Sequence, residues 1–313
     1  MTPFERLRAP RATSRAAPGS AYRDFWAGVG ERFPDLHGAA STRYYAENEQ
    51  RLFTEHLSPL EGLKVLKTDL WDEAKNTRIL AWASRQGARA YGIDISHPTV
   101  VQARAAFDAG PGARHCLQSA VGDVRDLPFR DASFDAIYSM GTIEHFDESE
   151  RAVEEMARVL KPGGRAIVGV PNRYDPFLRP LLAAGLQAVG LYEYGYEKSY
   201  SRRALRQMLE KAGLVVIAET AILFIPGWLR MLDLACHSWC SPLAGLTGAL
   251  VRPFVFLDRY VPAVRRHGYL LATVALKPES PADSTPRRGI MGRCRQLQAG
   301  ARSKTTVCAS RFG

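Results

Sequence analysis

Apolar positions recur along this chain with two different periods, and the order in which those periods appear predicts its architecture. Over residues 22–60 the spacing is helical: Tyr44, Tyr45, Leu52, Phe53 and Leu57 share a face before Pro59 stops the run. Short apolar runs at 64–68 (KVLKT), 88–95 (ARAYGIDI), 115–122, 134–139 (FDAIYS) and 165–170 (RAIVGV) read as strands. Helical patterns separate them over 73–86, 98–109 and 148–160, and Pro162, Gly163 and Gly164 mark a tight turn before the fifth strand. Strands alternating with helices in this way predict an α/β fold built on a doubly wound, mostly parallel sheet. Beyond Asn172 the alternation breaks. Residues 175–191 and 226–260 are unusually apolar, with an amphipathic helix at 203–212 and a strand at 214–224 between them, and a last strand at 268–276. The apolar stretches read as helices inserted into or covering the sheet. One domain over 22–277 is expected, with insertions at 173–197 and 226–262.

The chain has 313 residues, enough for one substantial core, and a formal charge of +10. That excess is not spread over the domain. Residues 1–23 contribute +4, residues 278–313 contribute +5, and about +1 remains for the body between them. A folded nucleic-acid binder concentrates its basic footprint on the domain itself, so nucleic acid is disfavoured as a partner and both tails read as solvated, disordered segments. Five cysteines (Cys116, Cys236, Cys240, Cys294 and Cys308) form no paired framework and fit a reduced, cytoplasmic compartment. Cys236, His237 and Cys240 lack the further ligands a zinc site needs, and no metal is expected.

Chemistry concentrates just after the expected strands, where open α/β sheets bind their ligands. Asp94, in GIDIS, ends the second strand, where a carboxylate grips ribose hydroxyls; its bland alternative is a helix cap, for which Ser96 serves as well. Asp123 and Val124, in GDVRDLPF, offer an acceptor and an apolar surface for a base near the end of the third strand. In order along the chain, GIDIS, GDVRDLPF, FDAIYSMGTIEHF and RVLKPGGRAIVGVPN resemble the class I S-adenosylmethionine (SAM)-dependent methyltransferases, strongly over 60–172 and weakly over 198–277. The resemblance implies a seven-stranded Rossmann-like sheet whose last strand is antiparallel. It also implies that Asp94 and Ile95 hold the SAM ribose, that Asp123 and Val124 contact the adenine, and that Met140 and Gly141 lie beside the methionine part.

One segment departs from that family. Its glycine-rich turn after the first strand is here VLKTDLWDEAKN, residues 65–76, without a glycine; Asp69, Trp71 and Glu73 stand where glycines belong. Either the loop is rebuilt, with Lys67, Thr68 and Asp69 in the cofactor set and Asp69 or Asp72 facing the cationic end of SAM, or cofactor binding is lost. Lys67 is then expected to pair with an acid of the loop. A Trp71 ring filling the adenosine cavity would rule the enzyme out.

His145, after the fourth strand, is the candidate base for an oxygen or nitrogen acceptor, with Glu144 a weaker one. Tyr44, Tyr45 and Tyr196, with Tyr192 and Tyr194, are candidates for the acceptor pocket, against the plainer reading of packing aromatics. The apolar stretch after 226 leaves two readings open. One is a lid over the site. The other is a helix lying in the membrane interface, with Trp228, Trp239, Phe254 and Phe256 as anchors and Arg230, Arg252, Arg265 and Arg266 near head groups. Both point to a small-molecule, glycan-precursor or lipid-linked acceptor, methylated in the cytoplasm or at the inner membrane face. The alternative is a non-catalytic, methyltransferase-like scaffold or membrane-associated module.

Overall fold

The computed structural model describes residues 20–110, 116–188 and 195–279. The expected basic tails lie almost wholly outside them, as do His115, Tyr192, Tyr194, Cys294 and Cys308. Seven strands form one sheet: β1 (Lys64–Lys67), β2 (Arg89–Asp94), β3 (Gln118–Val121), β4 (Phe134–Met140), β5 (Leu160–Pro171), β6 (Val215–Ile222) and β7 (Leu270–Leu276). Their spatial order is β3-β2-β1-β4-β5-β7-β6. β1 to β5 run parallel to one another, whereas β7 lies antiparallel between β5 and β6. This is the Rossmann-like methyltransferase architecture, and the chain reverses its winding between β1 and β4, where doubly wound sheets open a crevice.

Both faces of the sheet are buried, so neighbouring strand residues feed different cores. Val65, Ala136 and Tyr138 pack with α2 (Ala40–His56), α4 (Ile79–Arg85) and α5 (His97–Ala109). Leu66, Ile137 and Val168 pack with α6 (Ser149–Val159) and α8 (Arg202–Lys211) on the opposite side. Two expected boundaries are corrected. The helical run over 22–60 is two helices, α1 (Ser20–Arg32) and α2, parted by a segment containing Pro34. The helix expected at 73–86 is broken into α3 (Trp71–Lys75) and α4, because the Arg78 amide turns back to the Asp72 carbonyl and Arg78 takes a left-handed φ of 57°. The apolar stretch after 226 is a helical hairpin, α9 (Gly227–Trp239) and α10 (Ser241–Tyr260), beside α7 (Arg179–Ala188). No described helix is long and apolar enough to cross a membrane.

Candidate active site

The carboxyl ends of β1 to β5 open into one cleft with about 1250 Å³ of empty space, partly open to solvent. Thr68, Asp69, Asp94, Ile95, Asp123, Val124, Met140, Gly141, Glu144 and His145 all line it. Ten sequence-derived candidates therefore converge on a single surface.

The glycine-free loop is built by side chains. Lys67, wholly buried beneath it, places Nζ 2.8 Å from Asp69 Oδ1, 3.1 Å from the Asp69 carbonyl and 3.4 Å from Asp72 Oδ2. Burial opposes the charge on Lys67, but Asp69 and Asp72 overcome it and drive the ammonium's pKa above its ordinary value. Asp69 also accepts from Thr142 Oγ1 at 2.9 Å, and Asp72 accepts from Asn76 Nδ2 at 2.7 Å. Glu73 receives the Leu80 amide at 2.9 Å, which ties α3 to the start of α4. Lys67 thus supports the cleft without lining it. Trp71 packs edge-on against Phe33, with ring centroids 4.9 Å apart, and forms wall rather than filling the cavity.

Asp94 accepts the Leu70 amide on Oδ2 and the Ser96 amide on Oδ1, both at 2.8 Å. These bonds lock the carboxyl at the cleft and leave lone pairs for hydroxyl donors, since a carboxylate accepts about four bonds. Burial nevertheless lifts its pKa to about 7 against those two amides. Ser96 caps α5, so the plainer role considered for Asp94 is already filled by its neighbour. Asp123 is gripped by Arg125, whose Nη2 lies 2.7 Å from Oδ2 and Nε 2.9 Å from Oδ1. Although burial opposes it, this fork holds the Asp123 carboxyl below its ordinary pKa. The guanidinium in turn sits 4.9 Å from the Phe146 ring and 5.5 Å from that of Tyr22.

The cleft has a roof that sequence reasoning missed. Tyr22 and Trp26 of α1 line it, and the Trp26 ring meets His145 edge-on at 4.8 Å. His145 Nδ1 lies 2.9 Å from the Tyr196 carbonyl. A carbonyl only accepts, so Nδ1 carries the proton and Nε2 keeps a free lone pair. Burial lowers the His145 pKa, which keeps the ring neutral near pH 7. Glu144 is buried, and burial followed by the charge of Glu197 pushes its pKa well up, towards a neutral acid.

The tyrosines divide. Tyr45 lines the cleft. Tyr44 does not: it is buried in the core, and its hydroxyl accepts the Phe224 amide at 3.1 Å. Tyr196 is 37% exposed and supports His145 through its carbonyl, while its hydroxyl is directed to Asp147. Arg230, expected near lipid head groups, instead lines the cleft from α9, 5.1 Å from the Tyr45 ring and 5.6 Å from that of Tyr269. Arg179 also lines it, paired with Glu197 at 2.5 Å and stacked on Tyr269 at 4.4 Å.

A parallel sheet with a carboxylate at the end of β2 and a second one after β3, facing one cleft, defines a nucleoside-binding Rossmann-like protein. Residues 73–168 match the family model described as a methyltransferase domain. The tocopherol O-methyltransferase of Arabidopsis thaliana is 40% identical over 184 residues, 54% of this chain and 45% of that protein. An O-methyltransferase of Aspergillus sclerotiorum is 33% identical over 86 residues, 28% of this chain and 32% of that one. Among solved structures, the cyclase SpnF superposes with a TM-score of 0.54 at 18% identity, covering 87% of this chain and all of that one. Residues 73–168 are thus similar to a methyltransferase domain, on the fold that the class I SAM-dependent methyltransferases share, and the cofactor this implies is SAM. The chain spans less than half the length of the first curated relatives it matches.

The residues present fit that cofactor. Thr68 Oγ1 and Glu144 Oε2 are buried at the cleft and have no hydrogen-bond partner among the described residues. Gly141, at φ 76°, leaves open backbone where the methionine part is expected.

Proposed function

We propose that this protein transfers the methyl group of SAM to an apolar small molecule drawn from a lipid surface. The observation that carries the reading is the continuity between the cleft and an apolar outer face. Met231 of α9 lines the cleft and is also 43% exposed. Leu178, just before α7, Leu181 of α7, Trp228 and Trp239 of α9, and Leu246 and Phe256 of α10 are also exposed to solvent. Large apolar side chains exposed on three helical segments are costly in water and suit a membrane interface. The Arabidopsis relative is named for tocopherol, which fits such an acceptor. Phe254 is not an anchor: it packs inward against Phe177 and Phe224.

SAM, when bound, would supply an electrophilic methyl whose bond to sulfur breaks as the acceptor takes it in line, the demethylated thioether being the leaving group. The chain's part is to hold, orient and exclude water. Asp94 and Asp123 grip the nucleoside, and Asp69 at the loop supplies negative charge toward the cationic end. α1 and α9 close the cleft from above. His145 Nε2 takes the acceptor's proton, its ring oriented by the Tyr196 carbonyl.

Calorimetry of the full chain with SAM and with its demethylated product tests the reading, together with methyl transfer to apolar phenols presented in vesicles. Micromolar cofactor binding and product formation are expected. Absence of SAM binding at millimolar cofactor would leave a scaffold as the only surviving role.

A further inference from the structure

We propose that Arg230, on the covering helix α9, is the receptor for the carboxylate of SAM, the task a glycine-rich loop would otherwise perform. The inference rests on the cofactor assignment above. The methionine end of SAM carries an ammonium, a sulfonium and a carboxylate, so its site needs charges of both signs. The loop after β1 supplies one sign only: Asp69, Asp72 and Glu73. Two of its amides are also committed: the Thr68 amide bonds the Tyr138 carbonyl and the Leu70 amide bonds Asp94. Its cation, Lys67, lies beneath the loop, saturated by Asp69 and Asp72. A carboxylate placed there would meet three acids, with the Thr68 hydroxyl as its one unpartnered side-chain donor and no free cation.

Two other cations line the cleft. Arg179 is paired with Glu197. Arg230 makes no ion pair with the described residues, although its charge is felt by Asp72 and Tyr45. That influence puts it on the loop's side of the cleft, outside bonding range of the acid. Tyr45 and Tyr269 hold the guanidinium by their faces, leaving its donor edge for a planar anion. The acidic loop and Arg230 together match a zwitterion: carboxylates toward the ammonium, guanidinium toward the carboxylate.

The test is titration calorimetry on the full chain, wild type against Arg230→Gln and Arg230→Lys, with SAM, decarboxylated SAM and methylthioadenosine as ligands. Thermal melts of each variant without ligand check folding. In Arg230→Gln, SAM binding should weaken roughly 10- to 100-fold, the range of a charge-assisted pair, while both ligands lacking the carboxylate bind within about twofold of wild type. Arg230→Lys should fall between, keeping charge without the fork. The proposal is overturned if all three ligands weaken alike. It is overturned equally if SAM binding is untouched while the acceptor KM rises, which would give the guanidinium to an anionic acceptor. Wild-type protein that binds no SAM removes the cofactor reading along with this one.

Discussion

Lys67→Met isolates the device that replaces the glycine turn. The substitution preserves side-chain length and removes a charge that is wholly buried. Its Nζ lies 2.8 Å from Asp69 and 3.4 Å from Asp72, whose side chains are 15% and 7% exposed. Removing one member of a buried pair costs about 3–5 kcal/mol, because the surviving acid is left uncompensated. Asp69 borders the cleft and can rehydrate, which favours the lower end, about 3 kcal/mol. For a chain of this size about 1 kcal/mol moves Tm by roughly 2–4 °C, so a fall of about 6–12 °C is expected. The pH dependence sharpens the test. In the wild type, Lys67 is raised by its acids, so its contribution is complete below its unfolded value and lost only in strong alkali. Without it, burial and mutual repulsion lift Asp72 further above its already raised value. The folded variant then binds more protons than the unfolded chain between the ordinary carboxyl pKa, about 4, and that raised one, and its stability falls as pH rises. Thermal melts at several pH values between 5 and 8.5 should show the gap to wild type widening with pH. A Tm within about 2 °C of wild type, flat with pH, would refute the view that Lys67 holds the loop.

The remaining predictions concern function. Asp94→Ala should abolish stabilisation by SAM, which in the wild type reaches about 2.7 kcal/mol at a hundred times Kd, read as a lost thermal shift. Because burial raises Asp94 to about 7 and ribose hydroxyls donate to the ionised form, SAM affinity should climb as pH rises through that value, and a flat profile would exclude the assignment. His145→Gln should lower kcat roughly 10²- to 10⁴-fold with SAM Kd unchanged; since burial lowers this imidazole, the acid limb of the wild-type rate, where the base is protonated, should have its midpoint below pH 6.5. Replacing Trp228 and Trp239, 58% and 69% exposed, by Ser should abolish co-sedimentation with anionic vesicles and leave turnover of a water-soluble acceptor intact. Equal sedimentation of this variant and wild type would remove the membrane from the proposal.

The central strands were legible because burial on both faces writes apolar runs into the sequence, and Asp94 because it terminates one; β3, the largely exposed edge strand before Asp123, carries no such run. What periodicity hides is which surface a helical face meets. Tyr22 and Trp26 lie on a visible helical pattern, yet only the fold shows α1 roofing the cleft. The Arg125 fork on Asp123 depends on a turn that returns the side chain within two residues, which no spacing rule announces. The break between α3 and α4 depends on Asp72, which holds Asn76 with its side chain and Arg78 with its carbonyl. Arg230 was misplaced because its neighbours Trp228 and Met231 are apolar. It is four residues before Leu234, and both line the cleft, so the i, i+4 rule held the missing signal.

The likeness to SpnF sharpens what the sheet can and cannot decide. A protein named a cyclase shares the fold over 87% of this chain, so the sheet by itself does not fix the reaction. On the function proposed above, the acceptor is selected by the layer above the sheet: α1 with Trp26 against His145, α7 with Arg179 paired to Glu197, and α9 with Met231. That layer is also where sequence reading was weakest, because its residues obey helical burial and site chemistry together. Changes within it should therefore alter acceptor choice while leaving the nucleoside end of the cleft intact. Lys67 and Asp94 belong to the sheet side, and their loss should remove cofactor binding whatever the acceptor.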